Sequence, residues 1–115
     1  MFTIHFVSVA AETYKELKER AHASLKSRKA KGKAKSSKDE GLFKQVHKAI
    51  ELLRTNPKHP GLHSHEYDSI ANPYNEDAKV FEAYVQNATP GAYRVFWCYG
   101  PATRDITIIA ITPHP

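Results

Sequence analysis

The chain has 115 residues, 41% of them hydrophobic, a single cysteine and a formal net charge of +5. That is enough for one core of ordinary size. It excludes a membrane-spanning helix, since no run of about 18 apolar residues occurs, and with one cysteine it excludes an internal disulfide or a cysteine-only metal site.

Residues 2–9 alternate, with Phe2, Ile4 and Phe6 on one side and Thr3, His5 and Val7 on the other, and read as a first strand. This start lacks the charged n-region of a signal peptide, so the cytoplasm is the expected compartment. Ser8 is placed to cap a helix. Tyr14, Leu17, Ala21 and Leu25 then form one apolar stripe, with Lys15, Glu16, Lys18, Glu19 and Arg20 outside it. The pattern fades into residues 26–38, which hold seven of the 17 Lys and Arg and no acid. The rest of the chain has ten bases against twelve acids, so the protein is a near-neutral body with one cationic segment. Any polyanion binding starts there, with Lys29, Lys31, Lys33 and Lys35 as the RNA-contacting candidates. Whether this segment is a helix end or a loose loop stays open: Lys and Ala favour helix, while charge repulsion and Gly32 oppose it.

A second helix begins near Ser37 or Asp39, where Ser37 and Glu40 fit a capping box. Leu42, Phe43, Val46, Ala49, Ile50 and Leu53 supply its buried face, and Asn56-Pro57 ends it. The two helices make an antiparallel hairpin. Residues 57–79 carry three prolines and many polar residues and read as a long loop, a kind that is usually functional or disordered. Within it His59, His63 and His65 with Glu66 offer donors for zinc, but loop histidines often cluster without metal, and no metal or cofactor is expected. The run His63-Ser64-His65-Glu66-Tyr67 reads as a substrate contact or as chain folded over a sheet edge.

Strands follow at about 80–87, 92–99 and 105–112, separated by turns at Thr89-Pro90-Gly91 and Gly100-Pro101. Alternation puts Tyr93, Val95, Trp97 and Tyr99 on one face, expected under the helices, and Arg94, Phe96 and Cys98 on the other. Cys98 reads as a small buried hydrophobe. Arg94, alone among aromatics, calls for an anion: a bound phosphate, or a neighbouring acid such as Glu82. Tyr84 is a candidate to stack on a base. The order β-α-α-β-β-β gives an α+β fold, with a helix hairpin on one face of a small, mostly antiparallel sheet and the whole of residues 1–115 in one domain.

This order, together with Gly91-Ala92-Tyr93-Arg94-Val95-Phe96-Trp97 on the penultimate strand, Pro60-Gly61-Leu62 after the second helix and Ile111-Thr112-Pro113-His114-Pro115 at the end, resembles the RelE/ParE toxins of type II toxin–antitoxin systems. The resemblance implies a RelE-like fold and a protein antitoxin as partner. For the RelE-like branch it implies metal-independent cleavage of mRNA, often on the ribosome, by attack of the substrate's own 2′-hydroxyl. Arg94 matches the phosphate-contacting arginine, His114 a terminal catalytic histidine, and His65 and Glu66 fall where some relatives carry a catalytic residue. The strand Phe81–Gln86 lacks the Lys and Arg that RNA-cleaving relatives commonly place there. Two other readings therefore stay open: a ParE-like topoisomerase inhibitor, and a non-catalytic RNA- or partner-binding module.

Overall fold

The computed structural model describes residues 1–87 and 89–114. Pro115, the last residue of the terminal element noted above, lies outside them. The described elements are β1 (Thr3–Phe6), α1 (Ser8–Ala30), α2 (Lys38–Thr55), β2 (His65–Glu66), β3 (Phe81–Tyr84), β4 (Tyr93–Tyr99) and β5 (Asp105–Pro113), with a 3₁₀ turn at Pro60–Leu62. They form a five-stranded sheet in the order β1-β5-β4-β3-β2. β1 runs parallel to β5, and the β5–β4, β4–β3 and β3–β2 pairs are antiparallel. The α+β architecture expected from the sequence is present, with one strand more: β2 lies inside the stretch read as loop. Two residues are too short a run for alternation to reveal.

Ser8 is not the cap of α1. The cap position is Val7, whose side chain cannot cap, and Ser8 is the first helical residue. The reason is continuity with the sheet: Val7 N–H still donates to Ile108 O at 3.0 Å, so the chain passes from β1 into α1 without a free capping residue. Ala10, Leu17 and Ala21 are buried along α1, and Tyr14 packs against the core beside them. α2 has the capping box: Glu40 N–H donates to Ser37 Oγ at 3.2 Å and Ser37 N–H to Glu40 Oε2 at 3.0 Å. Such a cap stabilises a helix by about 1 kcal/mol. The Ser37 N–H, then Arg28, hold the Glu40 carboxyl below its usual pKa. Arg28 Nε lies 2.9 Å from both oxygens of Glu40, and Arg28 Nη1 reaches the carbonyls of Lys33 and Ala34 at 3.3 Å each. The basic segment is thus half helix end and half folded turn. Its tip turns at Gly32, with φ +68°, a region a side chain would strain.

Val46, Ala49, Ile50 and Leu53 of α2 meet Val95, Trp97, Ile106, Ile108 and Ile111 of the sheet in one core, with Phe81 and Tyr93 packed at its margin. Full burial of a side chain such as Leu53 contributes roughly 2 kcal/mol. Val95 and Trp97 face the helices as alternation implied; Tyr99 is 42% exposed because it lies beyond the core at the rim of the sheet.

The long stretch from Tyr67 to Lys79 covers part of the opposite face. Tyr67 packs on Phe96 with ring centroids 4.7 Å apart. Asn72, 7% exposed, organises the stretch: its Oδ1 accepts from Tyr74 N–H at 2.9 Å and Asn75 N–H at 3.2 Å, and its Nδ2 donates to Lys79 O at 3.2 Å. Thr107 Oγ1 donates to Gly100 O and accepts from the Tyr74 hydroxyl, both at 2.8 Å. Phe96 and Cys98 are sealed in beneath this layer.

Burial pushes the Cys98 thiol from its ordinary 9.0 up to about 11. The unfolded chain releases this proton before the native one, so Cys98 should lower stability as pH rises from 9 to 11 and leave it unchanged below 9. Urea melts across that window, compared with Cys98→Ala, measure the contribution; equal pH slopes would refute it.

Candidate functional site

On the face away from the helices, β3 carries Glu82 and Tyr84 opposite Phe96 and Arg94 of β4. Glu82 is 2% exposed. A carboxylate so deeply placed needs partners that offset its lost hydration. Two histidines supply them. His65, directly opposite on β2, places Nε2 at 2.7 Å from Glu82 Oε1. His114, following β5, places Nδ1 at 3.0 Å from Oε2. The backbone N–H of His114 donates to Ala92 O at 2.7 Å, which ties the end of the chain to the sheet.

The histidines differ in what their second nitrogen meets. His65 Nδ1 lies 3.0 Å from the His63 carbonyl. Both nitrogens of His65 therefore face acceptors, an arrangement only the imidazolium satisfies in full. His114 Nε2 meets no partner among the described residues. The His114 side chain is 48% exposed and that of His65 49%, so both open to solvent above the buried carboxylate.

Arg94 is 7% exposed and does not pair with Glu82, whose oxygens the histidines occupy. Its guanidinium carbon lies 3.8 Å over the Tyr84 ring. Nη1 donates to Gln86 O at 2.6 Å and to Tyr93 O at 3.2 Å, while Nε is buried without a partner among the described residues. The cation thus lies behind Tyr84, adjacent to the cluster. His63, in the left-handed conformation at φ 48° that ends the 3₁₀ turn, packs against Tyr84 with the rings tilted by 35° and centroids 5.1 Å apart, and His65 meets the same ring edge-on at 6.2 Å.

The sequence candidates separate into three places. His65, His114, Arg94 and Tyr84 are brought together. Glu66 is not: the alternation of β2 pairs it with Phe81, and it forms an exposed ion pair with Lys79 at 2.7 Å. Lys29, Lys31, Lys33 and Lys35 are exposed at the tip of the hairpin. That tip lies at the Arg94 end of the sheet, because the first turns of α2 (Lys38, Asp39, Gln45) share a groove with Gln86, Thr89, Pro90 and Tyr93 of the β3–β4 connection. The acid at the centre is Glu82. Its sequence signal was an ionisable residue on an otherwise apolar strand, one strand from Arg94. From the sequence Glu82 is one of two anions open to Arg94, the other being a bound phosphate; its pairing with two histidines depends on β2 and on the path after β5.

A helix hairpin on one face of a mixed sheet, with a carboxylate–histidine cluster on the other, defines an α+β protein with its ionisable cluster opposite its helices. No family model and no curated protein matches the sequence. Solved structures do match over nearly the whole chain. The YoeB/ParE toxin from Agrobacterium tumefaciens superposes with a TM-score of 0.59 at 8% identity, over 98% of this chain and 99% of that one. The YoeB–YefM complex from Staphylococcus aureus gives 0.57 at 11%, over 100% and 99%. The archaeal RelE–RelB complex from Pyrococcus horikoshii gives 0.56 at 10%, over 97% and 93%. The chain has the fold of the RelE/ParE toxins.

Because the histidines are half exposed, water can solvate them once Glu82 is gone. Glu82→Leu removes a buried charge from a well-packed sheet and should leave Tm unchanged or raise it by a few degrees. Thermal melting checks this; a fall of ten degrees or more would make the cluster a structural clamp.

Proposed function

We propose that this protein is the toxin of a toxin–antitoxin pair and cleaves RNA without a metal ion. The observation that carries the proposal is the Glu82–His114 pair, in which a buried carboxylate holds Nδ1 and leaves Nε2 free on an open face. That arrangement suits His114 to take the proton from a 2′-hydroxyl as it attacks the neighbouring phosphate. Glu82 fixes the ring and its tautomer. His65, with its ring nitrogens on Glu82 and the His63 carbonyl, anchors the carboxylate, and water from the open face gives a proton to the departing 5′-oxygen. Arg94 adds positive charge from behind Tyr84; a direct two-pronged grip on phosphate requires Tyr84 to swing aside.

The partner reading is supported by the neighbouring structures, two of which are toxin–antitoxin complexes. Messenger RNA, on or off the ribosome, is the substrate class this chemistry fits. The lysines of the hairpin tip extend the contact to the backbone beyond the cleavage point.

A second reading, a binding module or topoisomerase inhibitor on the same fold, draws on the state of Arg94, with Nη1 engaged by two carbonyls and 7% exposure. Cleavage assays on mRNA, with product ends mapped, separate the two. His114→Ala and Glu82→Leu should each lower cleavage by roughly a hundredfold or more, Arg94→Ala by less, and products should end in a 2′,3′-cyclic phosphate. Intact RNA with a folded wild-type protein would select the second reading.

The lysine tip is tested by salt. Changing Lys29, Lys31, Lys33 and Lys35 together to Gln should reduce the slope of log K against log salt by up to about 3 for single-stranded RNA. An unchanged slope would make the tip a solvated surface only.

A further inference from the structure

The tip of the helix hairpin forms a cavity of about 270 Å³. Arg28, Lys31, Lys33 and Lys35 line it, together with Ser24, Ser27 and Ser37. Like charges in one short turn repel, and left alone they splay into solvent. Here the backbone is folded so that three alternate lysines bound a single space.

Arg28 does the folding. Its Nε spans both oxygens of Glu40 at 2.9 Å, and its Nη1 donates to the carbonyls of Lys33 and Ala34 at 3.3 Å each. The turn is thereby tied to the starts and ends of both helices. The same turn covers the last carbonyls of α1: Lys31 N–H donates to Ser27 O at 3.1 Å, Gly32 N–H to Lys29 O at 3.1 Å and Lys33 N–H to Arg28 O at 2.9 Å. The negative end of the α1 dipole is thus blunted where the cavity lies, and α2 begins there with its positive end.

The acids near the tip are otherwise engaged. Glu40 balances Arg28 and accepts from Ser37 N–H, and Asp39 lines the separate groove toward Pro90 and Tyr93. The lining itself holds no acid, so three lysine charges face one another with nothing to neutralise them. It also holds no aromatic ring and no apolar side chain, so a base has nothing to stack on. What it offers is ammonium and hydroxyl donors, which suit phosphoryl oxygens. The Ser24 hydroxyl is spent on Ser37, whose oxygen accepts from Glu40 N–H, which leaves Ser27. A phosphodiester brings one negative charge and a terminal phosphoryl group nearly two. Three lysines around one space therefore match several phosphoryl groups joined directly to one another.

We propose that the hairpin tip is a binding site for a compact oligophosphate, either free or as the tail of a nucleotide, held by Lys31, Lys33, Lys35 and the Ser27 hydroxyl. The site reads phosphate and ignores the nucleoside. It stands apart from the cleavage reading, since it shares no residue with the Glu82 cluster. Any polyanion that uses the same lysines, an RNA backbone included, competes with it.

Calorimetry on the intact protein tests this at about 0.15 M salt, where exposed charges more than about 8 Å apart are largely screened. The ligands are tripolyphosphate, ATP, AMP, inorganic phosphate and the tetranucleotide ApApApA, whose phosphodiesters are spaced by sugars. Tripolyphosphate should bind saturably, one per chain, with ATP within about threefold of it and the other three roughly tenfold weaker or more. Changing Lys31, Lys33 and Lys35 together to Gln should weaken tripolyphosphate roughly tenfold or more. Changing Lys26, Lys29 and Lys38 together to Gln removes the same charge from exposed positions on the same hairpin outside the cavity, and should weaken it by about threefold at most. Absence of saturable binding, or equal losses in the two triple variants, would overturn the proposal, the latter leaving only a diffuse field. AMP or inorganic phosphate binding as well as tripolyphosphate would overturn it too. So would ApApApA binding as tightly, which would assign the cavity to a nucleic-acid backbone.

Discussion

The arrangement on the face opposite the helices depends on one carboxylate kept out of water. Glu82 is buried on a strand whose neighbours are apolar, and its charge is tolerable only because His65 and His114 meet its two oxygens. Those contacts have consequences at a distance. They bring the β2 segment onto the sheet edge and draw the residues after β5 back across the face. They also leave one histidine with both nitrogens occupied and the other with one nitrogen free. A buried ion cluster adds little to stability compared with an apolar substitute. What it supplies is orientation, which is the property a proton-transfer site needs.

The remaining structure serves to present that face. The helix hairpin covers the other side of the sheet with Val46, Ala49, Ile50 and Leu53. The Tyr67–Lys79 stretch seals Phe96 and Cys98 and leaves the end of the sheet around Tyr84 and His114 uncovered. Arg94 is the least expected element. It stacks on Tyr84 and caps two carbonyls, so its charge is held close to the cluster but turned from solvent. The hairpin carries its lysines past the sheet at the same end, held by Arg28 on Glu40. Cations missing from β3 are thus found on a separate element nearby.

How far such features can be read from sequence differs by type. The α2 capping box, its stop at Asn56-Pro57 and the faces of β4 were legible because each depends on residues a few positions apart. The Ser8 cap failed because a strand bond from Val7 to Ile108 took precedence over local preference. β2 was hidden because a two-residue strand has no periodicity, and its existence depends on β3 as partner. Glu66 was favoured over Glu82 for the same reason: only the register shows that His65 faces the sheet cluster while Glu66 turns toward Lys79.

By itself the sequence determined the two helices, the four longer strands, their order, the α+β class and the presence of Arg94 on the penultimate strand and His114 after the last one. These follow from local sterics, side-chain periodicity and turn chemistry, which act within a few residues. The tertiary structure alone decided that Glu82 lies between His65 and His114, 17 residues after one and 32 before the other. It likewise decided that Arg94 turns to carbonyls and that Lys31, Lys33 and Lys35 share a cavity. The physical reason is that burial and hydrogen-bond partnership are settled by whichever groups the packed sheet brings within about 3 Å, and that distance has no counterpart along the chain.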